Sequence, residues 1–235
     1  MLERTLGDKM WRLQVWNEAN LSQFYRGSPG DLVDLTFAAA RVLGRDRVVA
    51  PSFALITTDT MSGGWHDGRQ LTRAEFPTVY WQLLASRARQ RGQRIPVSAA
   101  TYNGYGHGVT IEAAARERLE GLLNFRRTVY RALGDRDLPL WDTEWNLRNQ
   151  DSSNTAYVPG GFPDSAETAR VWSQSVIDAA CLGYEWQFPY LWTDRSIQSG
   201  WESAQIQLSP ESRHVNAQFR RINGQTISCP TRSSG

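Results

Sequence analysis

The chain has 235 residues, 40% of them hydrophobic, and a formal net charge of +2. That length can bury one good core, and so even a charge balance gives no electrostatic reason to expect nucleic acid or an anionic membrane surface as partner. No apolar run approaches the roughly 20 residues of a membrane span, and no apolar leader segment follows Met1-Leu2-Glu3-Arg4. Ten tryptophans are an unusual supply of flat apolar platforms, suited to stacking on sugar C–H faces or to filling a core.

In chain order, Arg12 to Trp16 is predicted as the first strand. Ser28 then supplies an N-cap with Pro29 at the first helical position, and Leu32, Leu35, Ala39, Val42 and Leu43 recur at helical spacing up to Gly44. Val48 to Leu55 reads as a second strand buried on both faces. Thr72 and Glu75 form a capping box for a helix carrying Phe76, Val79, Tyr80, Leu83 and Leu84, which ends near Gly92. Ile95 to Ala100 is the third strand, Ile111 to Leu133 a long helix stopped by Gly134, and Leu138 to Trp141 the fourth strand. Asp164 and Glu167 cap a helix with Val171, Trp172, Val176 and Ile177 on one face; Tyr184 to Leu191 is the fifth strand. Ser209-Pro210-Glu211 opens the last helix, which carries Val215, Phe219 and Ile222. Cys181 and Cys229 flank that helix, and whether they pair is not decided by sequence.

Strands and helices thus alternate as βαβαβαβαβα, the pattern of a parallel sheet with right-handed crossovers. The long loops all follow strands: Glu18 to Arg26, Thr57 to Leu71, Tyr102 to Val109, Trp145 to Pro163 and Trp192 to Leu208. A TIM barrel has this asymmetry, because its site is built from the loops after its strands. Five strands do not close eight, and Arg4 to Lys9 reads as the tail of a helix leading into a strand. The expectation is an α/β fold, a partial (β/α)8 TIM barrel covering strands four to eight over residues 1–224, with a tail at 225–235. A doubly wound open sheet is the competing architecture. Exposed strand edges and an apolar face would then favour association.

Two strand ends carry the chemistry. Trp16-Asn17-Glu18-Ala19-Asn20 and Thr143-Glu144-Trp145-Asn146 each follow an apolar run and present a glutamate beside an amide and an indole. Either glutamate alone reads as a solvated loop acid. Together they offer the carboxyl pair that glycosidic hydrolysis needs, one to protonate the leaving oxygen and one to attack or stabilise the oxocarbenium-like carbon.

Trp16 to Leu21, followed by Phe24-Tyr25-Arg26-Gly27, resembles the WNEPNL segment of clan A retaining glycoside hydrolases, and of family 39 in particular, the β-xylosidase and α-L-iduronidase type. Thr143-Glu144-Trp145-Asn146 is similar to that family's second glutamate motif, and Phe188-Pro189-Tyr190-Leu191-Trp192-Thr193-Asp194 to its last barrel strand. The resemblance runs from barrel strand four to strand eight and implies that the first three β/α units lie outside this chain. Ala19 stands where the family usually has proline.

The resemblance implies an O-glycosyl hydrolase with Glu18 as general acid/base and Glu144 as nucleophile. Such a retaining route needs the two carboxyl groups about 5–5.5 Å apart. Asn17 would bind the sugar 2-hydroxyl, and Trp192 would floor the first subsite. A His/Tyr cluster is expected after the third strand, where Tyr102, Tyr105 and His107 lie, with Tyr102 the favoured phenol on the nucleophile. Trp145 and Trp65 are further candidate substrate contacts, Trp65 beside His66 and Asp67 in the loop containing Gly63-Gly64.

No cofactor or metal is called for. His66, His107 and His214 are scattered, and no phosphate loop or Gly-x-Ser-x-Gly elbow occurs. The expected partner is therefore a carbohydrate, at a secreted or extracellular location. The rival readings are a carbohydrate-binding barrel without turnover and an inactive fragment.

Overall fold

The computed structural model describes residues 11–54, 56, 60–134, 138–149, 162, 164–190, 213–222 and 225–229. The chain divides into two compact units, residues 1–102 with 127–140 and residues 103–126 with 141–235.

In the first unit, strand β1 (Leu13–Gln14) runs parallel to β2 (Val48–Val49), with Leu13 opposite Val48. Extended chain continues the parallel order beyond these short ladders. The Ser52 amide donates to the Trp16 carbonyl (2.9 Å), Ser98 to Val48 (2.8 Å), Ala50 to Ala99 (3.0 Å) and Ala100 to Pro139 (2.8 Å). Helix α1 (Pro29–Leu43) starts as the sequence requires: the Ser28 hydroxyl accepts from the Asp31 amide while the Asp31 carboxylate accepts from the Ser28 amide. Helix α2 (Glu75–Gln90) buries Phe76, Tyr80, Trp81 and Leu84, each worth roughly 1.5–3 kcal/mol relative to exposure. Phe53 packs against both Phe76 and Tyr80, so the second strand segment and α2 share one core.

The loop expected from Thr57 to Leu71 instead contains a hairpin. Strands β3 (Met61–His66) and β4 (Arg69–Thr72) pair antiparallel across Asp67 and Gly68, whose φ angles are 50° and 78°. Two consecutive left-handed residues make the two-residue turn that matches strand twist, which is why Asp-Gly occupies it. Thr72 and Glu75 form the expected capping box, with amide contacts of 2.8 and 3.2 Å. Arg69 adds a bidentate bridge to Glu75; that guanidinium, followed by the Thr72 amide, holds the Glu75 carboxyl down at about 2.

Strand β5 (Ala100–Tyr102) lies later than the expected Ile95 to Ala100. Helix α3 (Ile111–Leu133) has the expected bounds and contributes residues to both units.

In the second unit, β6 (Gly106–Gly108) and β8 (Leu147–Asn149) form a parallel pair within two segments expected to be loops. Strand β7 (Leu140–Trp145) is longer than the expected Leu138 to Trp141, so Glu144 lies inside a strand, and β7 shares a sheet with β9 (Tyr184–Pro189). Helix α4 (Ala166–Cys181) is capped by Ser165, not Asp164. Asp164 instead accepts from the His214 and Val215 amides (both 3.2 Å), the orphan donors opening helix α5 (Arg213–Ile222). Cys181 and Cys229 form a disulfide. The expected helix opening at Ser209-Pro210-Glu211 lies outside the described residues. Among the described residues the strands are short, the sheets separate, and no closed barrel forms.

Candidate functional site

Each glutamate is described within its own unit. Glu18 follows β1, is buried to 8% exposure, and sits at φ 46°. A left-handed conformation in a non-glycine residue stores roughly 1–3 kcal/mol of strain and persists only where the surroundings over-determine it. Ser52 provides that constraint: its hydroxyl accepts from the Glu18 amide (3.0 Å) and its carbonyl from the Ala19 amide (3.0 Å). Its hydroxyl also donates to the Asn17 amide oxygen (2.9 Å), which Gln14 reaches as well (3.4 Å). Asn17 is thereby oriented while remaining exposed. Asn20, fully buried, pins the next residues to Ala54 through both its amide atoms (2.6 and 2.9 Å) and to the Arg73 carbonyl (3.0 Å). Trp16 donates its indole N–H to the Phe24 carbonyl (3.0 Å) and keeps 39% of its surface exposed. Trp65, on the hairpin, is 55% exposed.

Glu144 is held differently. The Tyr105 hydroxyl donates to its Oε1, and the Asn103 amide donates to its Oε2 (3.4 Å). Thr143 in turn donates to the Asn103 amide oxygen (3.0 Å), fixing that amide's orientation. The phenol described on Glu144 is therefore that of Tyr105, where the sequence reading favoured Tyr102. Tyr102 is buried on β5, with 2% exposure. The Asn103-Gly104-Tyr105 turn is tied to β7 by a contact invisible in sequence.

That contact is with Asp142, two residues before Glu144 on β7. Its Oδ1 accepts from the Gly104 amide (2.9 Å), between the two residues that touch Glu144. A Cβ on Gly104 would lie 2.6 Å from Asp142 Oδ2, so only glycine fits. Asp142 is fully buried and paired with Arg118 (2.6 Å), itself 1% exposed. Arg118 also donates to the Ser175 carbonyl (2.7 Å), the Ser175 hydroxyl (2.8 Å) and Gln187 (3.0 Å). Burial pushes the Asp142 carboxyl up, to about 6, against the pull of Arg118 and the Gly104 amide. Burial likewise lowers the Arg118 pKa, opposed by Asp142.

Trp145 is a correction. It is 0% exposed, stacked on Trp172 at 5.2 Å and covered by the Arg118 guanidinium 3.8 Å from its ring centre. Its ring belongs to the core with Leu147, Ala169 and Val171 and offers no face to a substrate.

His107 is 11% exposed in its side chain and faces Glu117 (3.5 Å) and Arg148 (3.4 Å). Trp192 lies outside the described residues. Among those described, no group of three or more His, Cys, Asp or Glu side chains could hold a metal ion, and no helix is long and apolar enough to cross a membrane.

Sequence reasoning missed Asp142, Arg118 and Arg148. One signal was present: Arg118 falls on the apolar stripe of α3 with Ile111, Ala114, Leu122, Phe125 and Val129, all buried, and a charge on such a stripe needs a buried partner.

No family model matches the chain, and no curated protein does. Among solved structures, the fold is similar to that of a monomeric β-xylosidase from Caulobacter crescentus CB15, with a TM-score of 0.58 at 16% identity. The alignment covers 95% of this chain and 44% of the xylosidase, so the chain spans less than half of that protein's length. The likeness is one of fold: a mixed α/β arrangement with parallel strand pairs, similar to part of that xylosidase.

Proposed function

We propose that this chain carries the catalytic glutamates of a retaining glycoside hydrolase of clan A, of the family 39 type. The observation that carries the reading is the pair of donors, Tyr105 and Asn103, converging on Glu144, the arrangement a carboxylate nucleophile needs. Glu18, largely removed from solvent and held in a left-handed backbone beside Ser52, is the general acid/base in this reading. The fold likeness to a β-xylosidase supports the same reading.

In the first step the Glu144 carboxylate attacks the anomeric carbon. The bond to the leaving oxygen breaks, and that oxygen takes the proton from Glu18. In the second step water attacks the same carbon and gives its proton to Glu18, while the electron pair of the ester bond returns to Glu144. Asn17 would bind the 2-hydroxyl, and Trp65 a more distant sugar ring.

The test is kinetic, on a panel of 4-nitrophenyl and unactivated β-glycosides including β-D-xylosides. Glu18→Ala should lose about 10²–10⁴-fold on unactivated substrates and far less on activated ones, with azide restoring turnover as a glycosyl azide. Glu144→Gln should lose both activities and keep binding. A wild-type chain that binds sugars without hydrolysing any glycoside would make it a carbohydrate-binding protein instead.

A further inference from the structure

The β6–β8 pairing, found where two loops were expected, does more than close the chain. Its register sets His107 directly opposite Arg148. Arg148 is 1% exposed, with its guanidinium carbon 3.7 Å from the centre of the Tyr105 ring and Nη1 3.4 Å from His107 Nε2. The backbone amide of His107 donates to Glu117 Oε2 (2.6 Å), and that carboxylate also faces the ring. Burying a guanidinium is costly unless it is well engaged, and this one lies over the ring whose hydroxyl touches Glu144.

We propose that Arg148 is a positioning residue for Glu144, acting through Tyr105. The inference rests on Glu144 being the nucleophile. A cation on the face of a phenol is attracted to the ring and draws electron density from it, so the Tyr105 hydroxyl becomes a stronger donor while its ring is held in one orientation. A stronger donor stabilises the free carboxylate. That effect favours Glu144 as the leaving group when water displaces it from the glycosyl-enzyme, the step in which its charge is restored. His107 also meets the guanidinium, and Glu117 in turn faces the His107 ring. The acidic and basic groups facing this chain are Glu117 on α3, His107 on β6, Glu144 on β7 and Arg148 on β8.

Two readouts test this on the full chain. Arg148→Met and Arg148→Lys are each made in the wild-type and Tyr105→Phe backgrounds, with the far-UV and near-UV circular dichroism of each variant compared with its parent. First, the 13C carboxyl resonance of Glu144, assigned through Glu144→Gln, is expected to move on Arg148→Met with Tyr105 present and to stay in place in the Tyr105→Phe background. Second, Arg148→Met is expected to lower kcat roughly tenfold, as removal of an orienting outer group does. KM for a 2,4-dinitrophenyl glycoside should change by less than about threefold, and Arg148→Lys should recover part of the loss. Non-additivity in the double variant is the signature of action through Tyr105. Equal resonance shifts with and without the Tyr105 hydroxyl, or no shift in a folded Arg148→Met variant, would overturn the proposal. If the resonance coupling holds but no glycoside is cleaved, the hydrolase reading fails and the coupling stands. If turnover occurs without coupling, this inference alone falls.

Discussion

Asp142 and Glu144 sit two residues apart on one strand and live in opposite environments. Asp142 is sealed at 0% exposure against Arg118, while Glu144 is partly exposed and receives Tyr105 and Asn103. Strand alternation places both on one side, but the strand expected from sequence ended at Trp141, and burial of Asp142 depends on Arg118 arriving from α3. The Asp142 carboxyl, pushed up to about 6 by burial, gives a pH signature. In the unfolded chain an aspartate ionises near 3.9. Between about pH 4 and 6 the native state therefore holds the proton that the unfolded state has released, and this residue's contribution falls as pH rises through that window. Urea unfolding of wild type and Asp142→Asn should differ in slope across pH 4–6, the wild type losing more stability as pH rises. At neutral pH the variant should be less stable by about 3–5 kcal/mol, because Arg118 is left buried without its counter-charge. Parallel curves with no offset would show that the pair contributes neither effect.

Among elements, the helices were legible and the short strands were not. The α1 capping box, the α2 capping box and the bounds of α3 follow from local chemistry that a single sequence displays. The β3–β4 hairpin also had its signal, Asp67-Gly68 between Trp65-His66 and Arg69-Gln70; the long loop simply drew attention away from it. The β6–β8 pair had none, since Gly106-His107-Gly108 carries no strand propensity and gains its form from a partner about 40 residues away. The disulfide was left open for the same reason, because proximity of distant cysteines is a product of the fold. It closes a loop of 48 residues holding β9 and α5, which is worth roughly 2–4 kcal/mol in the restricted unfolded chain. Reduction, or Cys181→Ser with Cys229→Ser, should lower the melting temperature by several degrees. An unchanged transition would show that the cross-link adds no stability. Such a bond also fits an oxidising compartment.

At the scale of the whole chain, the alternating order of strands and helices was readable because each element is punctuated by its own cap or glycine, and the fold likeness to part of a β-xylosidase agrees with it. The reading of Glu18 and Glu144 as a catalytic pair rests on motifs that each join a carboxylate to an amide and an indole. Their supports, Ser52 for one and Tyr105, Asn103 and Asp142 for the other, are not legible in the motifs themselves and emerge only on folding. The reading as a retaining glycosidase stands on Glu144 forming a bond to sugar. The direct measurement is to incubate the chain with 2-deoxy-2-fluoroglycosyl fluorides, xylosyl included, and to map the adduct by peptide mass spectrometry. The account predicts one stable glycosyl ester, on Glu144, absent in Glu144→Gln. A label on Glu18 or any other carboxylate, or none from the fluoride of a sugar whose glycosides the chain hydrolyses, would contradict it.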